Sequence, residues 1–351
     1  MSNCAVGSSN GTGYDWTDPA ILAQGAPMRL RIGLAVVLAV LATAITVPPA
    51  AAQEFPSKPF RLIVPFAVGG PADVYARILG QHLGEALKQP FIIDNKPGAG
   101  SIVGTAEAAK AAPDGSTLLM MSNTHTTNES LVADKPFKLM RDFVAVAPVN
   151  ASDLVLVAHP SLGVATIKDL VALAKSKPGK LNYASSGTGT PYHMAGELFK
   201  AMSETDILHV PFKGSSGARN DVIAGQVHMM FDAITTMAGN VEASQVVALA
   251  TTGKTRSAVL SGVPTMAEAG VPGYEATIWL GLMAPKGTPQ PIVDRLNAEI
   301  CRIVSRPDIK AAWVKQGAEP MLMSPAEFTA YLNADIEKWA RIVKISGAKA
   351  E

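Results

Sequence analysis

The sequence predicts an α/β protein with largely parallel sheets, and three observations carry that reading. Short apolar strands alternate along the chain with segments whose apolar residues recur at the 3.6-residue helical period. Turns rich in glycine, serine and threonine join a strand to the helix that follows it. Apolar residues make up 48% of the 351-residue chain and charged residues 17%, against about 25% charged in soluble domains, which excludes disorder and leaves material for two cores.

The elements follow in order. Residues 60–66 read as a strand, after which Gly69-Gly70-Pro71 opens a helix with Tyr75, Leu79, Leu83 and Leu87 on one face and proline in its first turn. A second unit repeats the plan: strand 91–94, the turn Pro97-Gly98-Ala99-Gly100, and a helix running to Lys110. Residues 117–122 form a strand that ends in Asn123-Thr124-His125. Strand 154–158 precedes helix 167–175; strand 182–184 leads through loop 185–191 to helix 192–202; strand 207–211 is followed by a helix opening near Gly217. Two more strands fall at 227–231 and 246–250. The C-terminal part has strand 277–284 and a helix striped by Ile292, Leu296, Ile300 and Ile303. There Ser324-Pro325-Ala326-Glu327 caps a last helix with the buried stripe Phe328, Leu332, Ile336, Trp339 and Val343.

The N-terminus carries an export signal. Arg29 and Arg31 precede an uncharged run, Ile32 to Val47, then two prolines and Ala50-Ala51-Ala52, the order of a signal peptide (28–52) cleaved after Ala52. The run is shorter than the roughly 20 residues a membrane span needs. Residues 1–27 precede the basic segment and read as a non-native extension ahead of Met28.

Several function classes drop out. Thirty basic side chains against 29 acidic ones leave +1, with no block of like charge to bind nucleic acid. Cys4 and Cys301 cannot build a disulfide framework, and the six histidines are too far apart for a metal motif. Gly98, Gly100 and Gly104 miss the dinucleotide fingerprint by one position, there is no Walker A sequence, and G-x-S-x-G occurs only at Gly7 to Gly11. No cofactor, metal or catalytic residue is therefore expected.

What chemistry can use is the set of small-residue turns at 68–73, 96–101, 185–191 and 213–217. Such turns lie at the carboxyl ends of strands, where the following helix offers unpaired N–H groups and a partial positive charge to an anion. No arginine occurs in them, and Lys96 and Lys213 stand at their edges, so the helix ends are expected to supply the counter-charge. Asp73 suits either a helix-capping role or ligand contact; so do His125 and His193, as structural groups or ligand contacts, and Asp232, as a cap for the next helix or a contact.

Taken together, Val64-Pro65-Phe66-Ala67-Val68-Gly69-Gly70-Pro71-Ala72-Asp73, Asn95 to Gly100, Ser185-Ser186-Gly187 through His193, Val210-Pro211-Phe212-Lys213-Gly214, Pro264-Thr265 with Glu268-Ala269-Gly270, Trp279 with Gly281, and Ala284-Pro285 before Gly287-Thr288-Pro289 resemble the Bug family, the extracytoplasmic receptors of tripartite tricarboxylate transporters. Ser101 departs from the pattern, standing where a second glycine is common. The resemblance implies a two-lobed Venus-flytrap fold of periplasmic-binding-protein type II. Lobe one would comprise residues 53–153 and 275–351, lobe two residues 154–274, and the chain would cross the hinge twice. It implies a small carboxylate ligand, the transporter's membrane subunits as partners, a monomeric periplasmic protein and no catalysis; a periplasmic enzyme acting on a small carboxylate is the alternative. Carried over by position, the ligand would meet Ala67, Val68, Gly69, Gly70, Asp73 and Ser122, Asn123, Thr124, His125 on one lobe, and Ser185, Ser186, Gly187, Thr188, Thr190, His193 and Asp232 on the other.

Overall fold

Two mixed sheets share one long strand. The computed structural model describes residues 55–349, so the expected leader and signal peptide lie outside the described residues. In the first sheet β1 (Phe60–Val64) pairs in parallel with β2 (Phe91–Asn95) and β3 (Thr117–Ser122). Beyond β3 come β9 (Thr277–Pro285) and the first part of β4 (Phe143–Ala158), both antiparallel to their neighbours, with the short β10 (Ala318–Pro320) on the far edge of β4. The second sheet runs β6 (Ile207–Pro211), β5 (Leu181–Ser185), β7 (Met229–Ala233), the last part of β4, and β8 (Val247–Thr251). Parallel order is thus confined to three strands per sheet. The strands that connect the sheets run against them, a correction to the expectation of largely parallel sheets.

The chain crosses between the sheets at two adjacent places. Asp153 is the last residue of β4 paired to β9, and Leu154 the first paired to β7; the return crossing enters β9 at Thr277. Only 154–158 of β4 is legible as a strand, because Pro148 and the polar Asn150 and Asp153 interrupt the apolar pattern. Two register shifts, around Val146 and Val149, absorb that irregularity.

Helices cover the sheets and each sheet has its own apolar layers. Helix α1 (Pro71–Leu87) buries the predicted Tyr75, Leu79, Leu83 and Leu87, and α2 is Ile102–Ala108. The segment expected to end the β3 strand instead starts α3 (Asn123–Leu131). Its Ser122 cap accepts the Thr124 N–H at 3.2 Å, and the Ser122 N–H donates to His125 Nδ1 at 3.2 Å. Asn, Thr and His are poor helix formers. Here tertiary bonds decide, notably Thr126 Oγ1 to the buried Asp335 carboxylate at 2.6 Å. A short α4 (Leu139–Asp142) precedes β4, and α5 (Ile167–Ser176), α6 (Pro191–Ser203), α7 (Ser215–Ile223) and α8 (Ile234–Glu242) flank the second sheet. Helices α9 (Gln290–Val304), α10 (Pro307–Lys315) and α11 (Pro325–Ser346) finish the chain, α11 with the expected Ser324/Glu327 capping box. Layers such as Leu62, Leu118 and Leu296 in the first lobe, and Leu156, Tyr183 and Phe231 in the second, form separate cores.

One buried side chain ties the two crossings together. Thr252 gives its N–H to the Leu154 carbonyl at 3.0 Å and takes the Ala276 N–H on its own carbonyl at 3.3 Å. Its hydroxyl accepts the Leu154 N–H at 2.8 Å and donates to the Ala276 carbonyl. Thr252→Val keeps the shape but leaves both backbone partners short of a bond, so it is expected to lower stability by about 1–3 kcal/mol. Urea unfolding decides this; a midpoint equal to that of the parent would show that the hydroxyl is not what joins the crossings.

Candidate functional site

Four helices begin in the gap between the sheets and their first turns face one chamber. Its wall is built from Gly70, Pro71 and Ala72 at α1, Ser122 and Thr124 at α3, Pro191 and Tyr192 at α6, and Gly214 and Ser215 at α7. Phe66, Ala67, Ser186 and the β9 residues Ile278 and Leu280 complete it. The chamber holds about 20 Å³, where one water takes roughly 10–15 Å³ on the same measure. No charged side chain lines it. The field inside therefore comes from four helix N-termini, whose first N–H groups have no intrahelical acceptor.

Small residues let the two lobes meet around this chamber. A Cβ on Gly70 would stand 3.0 Å from Ser215 Oγ, one on Gly214 2.2 Å from the Ala67 Cβ, and one on Gly100 2.4 Å from the Thr188 carbonyl oxygen. Across the gap the Ser216 hydroxyl donates to the Val68 carbonyl at 3.1 Å, and the Tyr75 and Thr235 hydroxyls lie 3.3 Å apart. The cleft is closed.

Of the sequence-predicted residues, Ala67, Gly70, Ser122, Thr124 and Ser186 line the chamber. Gly187, Thr188 and Thr190, with Ser186, line an adjoining space. The 96–101 turn also faces that space, so the fourth N-terminus at the first chamber belongs to α3 instead. Val68 and Gly69 sit exposed at the rim. The others stand behind the wall and brace it. Asp73 accepts the Gly69 N–H at 3.0 Å and pairs with Arg77 at 2.9 Å; burial alone would raise its pKa, but these partners hold it below the ordinary value. The Asn123 amide donates to the Thr277 carbonyl at 2.9 Å. Asp232 is fully buried against Arg219, Nε to Oδ2 2.7 Å, and also accepts the Ala233 N–H; burial raises its pKa and the arginine offsets part of that.

Histidines brace the loops by accepting N–H groups, which requires them neutral. His125 Nδ1 faces the Ser122 N–H and its Nε2 lies 2.9 Å from Thr105 Oγ1. The Gly189 N–H donates to His193 Nδ1 at 3.1 Å, and the His193 ring lies 4.1 Å from that of His209, which bonds Ser185 Oγ at 2.6 Å. Ser185 Oγ in turn accepts the Gly187 N–H at 3.1 Å. Burial pushes His125 and His193 down to about 4 and His209 to about 3, with His193 and Lys200 adding to the shift at His209.

Phe66 and Tyr192 line the chamber without having been singled out as contacts from the sequence, and Ser215 does so from within the predicted 213–217 turn. The signal was available, since each lies within two residues of a predicted turn or helix start. The Ser186 hydroxyl is buried in the wall with no hydrogen-bond partner. Among the described residues no cluster of histidine, cysteine or carboxylate side chains could hold a metal.

Two sheets hinged at paired crossings, with helix N-termini from both meeting at one closed chamber, define a two-lobed solute receptor. The chain belongs to the tripartite tricarboxylate transporter receptor family, whose model matches residues 75–348. It is 38% identical over 321 residues to a protein of the tcbD-tcbE intergenic region of Pseudomonas sp. strain P51, covering 90% of this chain and 96% of that one. It is 35% identical to protein BugT of Bordetella pertussis, covering 92% and 99%. Among solved structures, Rpa4515 of R. palustris with adipate is similar at TM-score 0.82 and 33% identity, covering 84% of this chain and 99% of that one. MatC of Rhodopseudomonas palustris with bound malate is similar at TM-score 0.79 and 31% identity, covering 82% and 100%.

Because the three buried histidines stay uncharged above about pH 6, the affinity for a small carboxylate is expected to be flat between about pH 6 and 8. A drop centred near the ordinary histidine value of about 6.5, abolished by His125→Asn or His193→Asn, would instead place an imidazolium in the site.

Proposed function

We infer that the chain is an exported receptor that closes on a small carboxylate and presents it, unchanged, to the membrane subunits of a tripartite transporter. The observation that carries this is the convergence of four helix N-termini on a chamber without a charged side chain. Such a site favours a compact anion, neutralised by fixed backbone dipoles rather than by an arginine fork. The adipate and malate in two structural neighbours support a carboxylate as that anion. Tyr192 is the one titratable side chain in the wall, and burial lifts its pKa well above the ordinary phenol value, so nothing there is placed to move a proton near neutral pH.

The lobes, 53–153 with 275–351 and 154–274, swing about the two crossings, and the surface formed on closing is what the membrane subunits read. The chain acts as a monomer in the periplasm. Family membership supports this location, and no helix among the described residues is long and apolar enough to cross a membrane.

A carboxylate panel tests the binding reading. A true ligand is expected to raise the melting temperature and to be recovered chemically intact by chromatography. Gly70→Val puts a side chain where the lobes meet, so it is expected to weaken binding at least about tenfold while leaving the fold in place. Unaltered affinity would place the ligand elsewhere. Export is tested separately by sequencing the mature N-terminus, expected at Gln53; a start upstream of the apolar run would overturn the cleavage assignment.

A further inference from the structure

Helix α3 turns its N-terminus to the chamber, yet its sequence cannot hold that shape unaided. Every residue from Asn123 to Asn128 is polar and at most 1% exposed. Side chains of this kind compete with helical backbone bonding instead of supporting it. What fixes α3 therefore lies elsewhere in the fold.

Asp335 of α11 is the group that reaches it. This residue is 7% exposed, and its carboxylate accepts two neutral donors, Thr126 Oγ1 at 2.6 Å and Trp279 Nε1 at 3.2 Å. Burial lifts its pKa, and Thr126, Lys338 one turn along and Trp279 oppose the rise. A carboxylate bonded in the core by neutral groups alone is costly to bury, more so than an amide of the same shape. What it supplies in return is oxygens that only accept, so a hydroxyl and an indole can both point at it, and bonds to a charged acceptor are the strong ones.

Its two partners belong to two walls of the chamber. Thr126 lies one turn inside α3, whose Ser122 and Thr124 line that space. Trp279 sits in β9 between Ile278 and Leu280, which line it too, and strand alternation turns the indole to the opposite face. Helix α3 also meets the other lobe: the Asn128 amide donates to the Gly100 carbonyl at 2.8 Å, while its side-chain oxygen would stand 2.5 Å from a Cβ on Gly189. Helix α11 itself packs on α3 and on α6, one in each lobe.

Resting on the carboxylate reading of the chamber, we propose that Asp335 is a positioning residue for ligand binding. Acting through Thr126, it holds α3 so that the first turn faces the chamber before a carboxylate arrives and Asn128 stands ready at the opposite lobe. Without that bond the helix has to be ordered at the moment of binding, and affinity falls by the cost of ordering it.

Two conservative changes at Thr126 separate anchoring from packing on the mature chain. Thr126→Ser keeps the hydroxyl and loses a buried methyl; Thr126→Val keeps the shape and loses the hydroxyl. Both are expected to lower the melting temperature by about 1–4 °C. Only Thr126→Val, like Asp335→Asn, is expected to speed hydrogen exchange of the α3 amides, at least about fivefold without ligand. The same two variants are expected to weaken calorimetric binding of the panel carboxylate that stabilises the parent most, about three- to tenfold, with Thr126→Ser within about twofold of the parent. Combined, they are expected to weaken it no more than the stronger one alone, because both break one bond. Affinity that simply follows melting temperature across the variants overturns the assignment, as does α3 exchange unmoved by Thr126→Val and Asp335→Asn. Tighter binding by Asp335→Asn also overturns it, since the carboxylate would then act as a charge opposing the ligand. Gly70→Val separates this from failure of the underlying reading: if it weakens binding while the α3 variants do not, only the positioning role falls, and if it too leaves affinity intact, the chamber does not hold the carboxylate and both conclusions fall.

Discussion

The fold as a whole depends on bringing helix N-termini from two separate lobes to face one small chamber. A helix N-terminus carries about half a charge and acts only over its first turn. One such end is a weak site; four facing a chamber of about 20 Å³ are not. That geometry tolerates no bulk where the bodies touch. Gly70 against Ser215, Gly214 against Ala67 and Gly100 against Thr188 are three of the contacts at which a Cβ would stand 3.0 Å or less from the opposite lobe. The first two are explained by approach alone. Gly70 has φ −85° and Gly214 φ 162°, backbone that any residue can adopt.

The sheets are arranged to serve that approach. Each has the same strand order, β2-β1-β3-β9-β4 in one and β6-β5-β7-β4-β8 in the other, so each has three parallel strands feeding helices whose N-termini lie on one side. The antiparallel strand in each is supplied by the chain as it crosses over. Strand β4 therefore belongs to both sheets. The clamp at Thr252 joins β4 to the return crossing, beside the few residues around Asp153 and Thr277 where the chain passes between the sheets.

What the sequence made legible follows the same physics. The first loop could be read because Gly69-Gly70-Pro71 both ends a strand pattern and starts an apolar stripe at Tyr75. Helix α3 could not, because Asn123 to Asn128 have neither helix propensity nor a stripe; bonds to Asp335 and to the Gly100 carbonyl, far away in the chain, hold them. The first half of β4 was hidden by Pro148, which only the register shifts of the folded sheet accommodate. In the site, a pattern of small residues marked the loops but not the groups that face inward. Asp232 and His193 carry the chemistry a reader looks for, yet Arg219 and the Gly189 N–H engage them. Tyr192, beside the 185–191 loop, and Ser215, within the 213–217 turn, stand in the wall instead.

That division of labour sets how the site discriminates. Behind the wall Asp232 is paired with Arg219 and Asp73 with Arg77, while His125 and His193 are held neutral. Pairing and neutrality leave these groups little net charge, while the helix ends keep their unpaired N–H groups. Dipoles of that kind distinguish an anion from a neutral group but say little about what the anion is attached to. A wall of that kind differs from the larger adjoining space between Phe66, Ser101 and Lys213, whose lining adds a charged side chain and more varied shape.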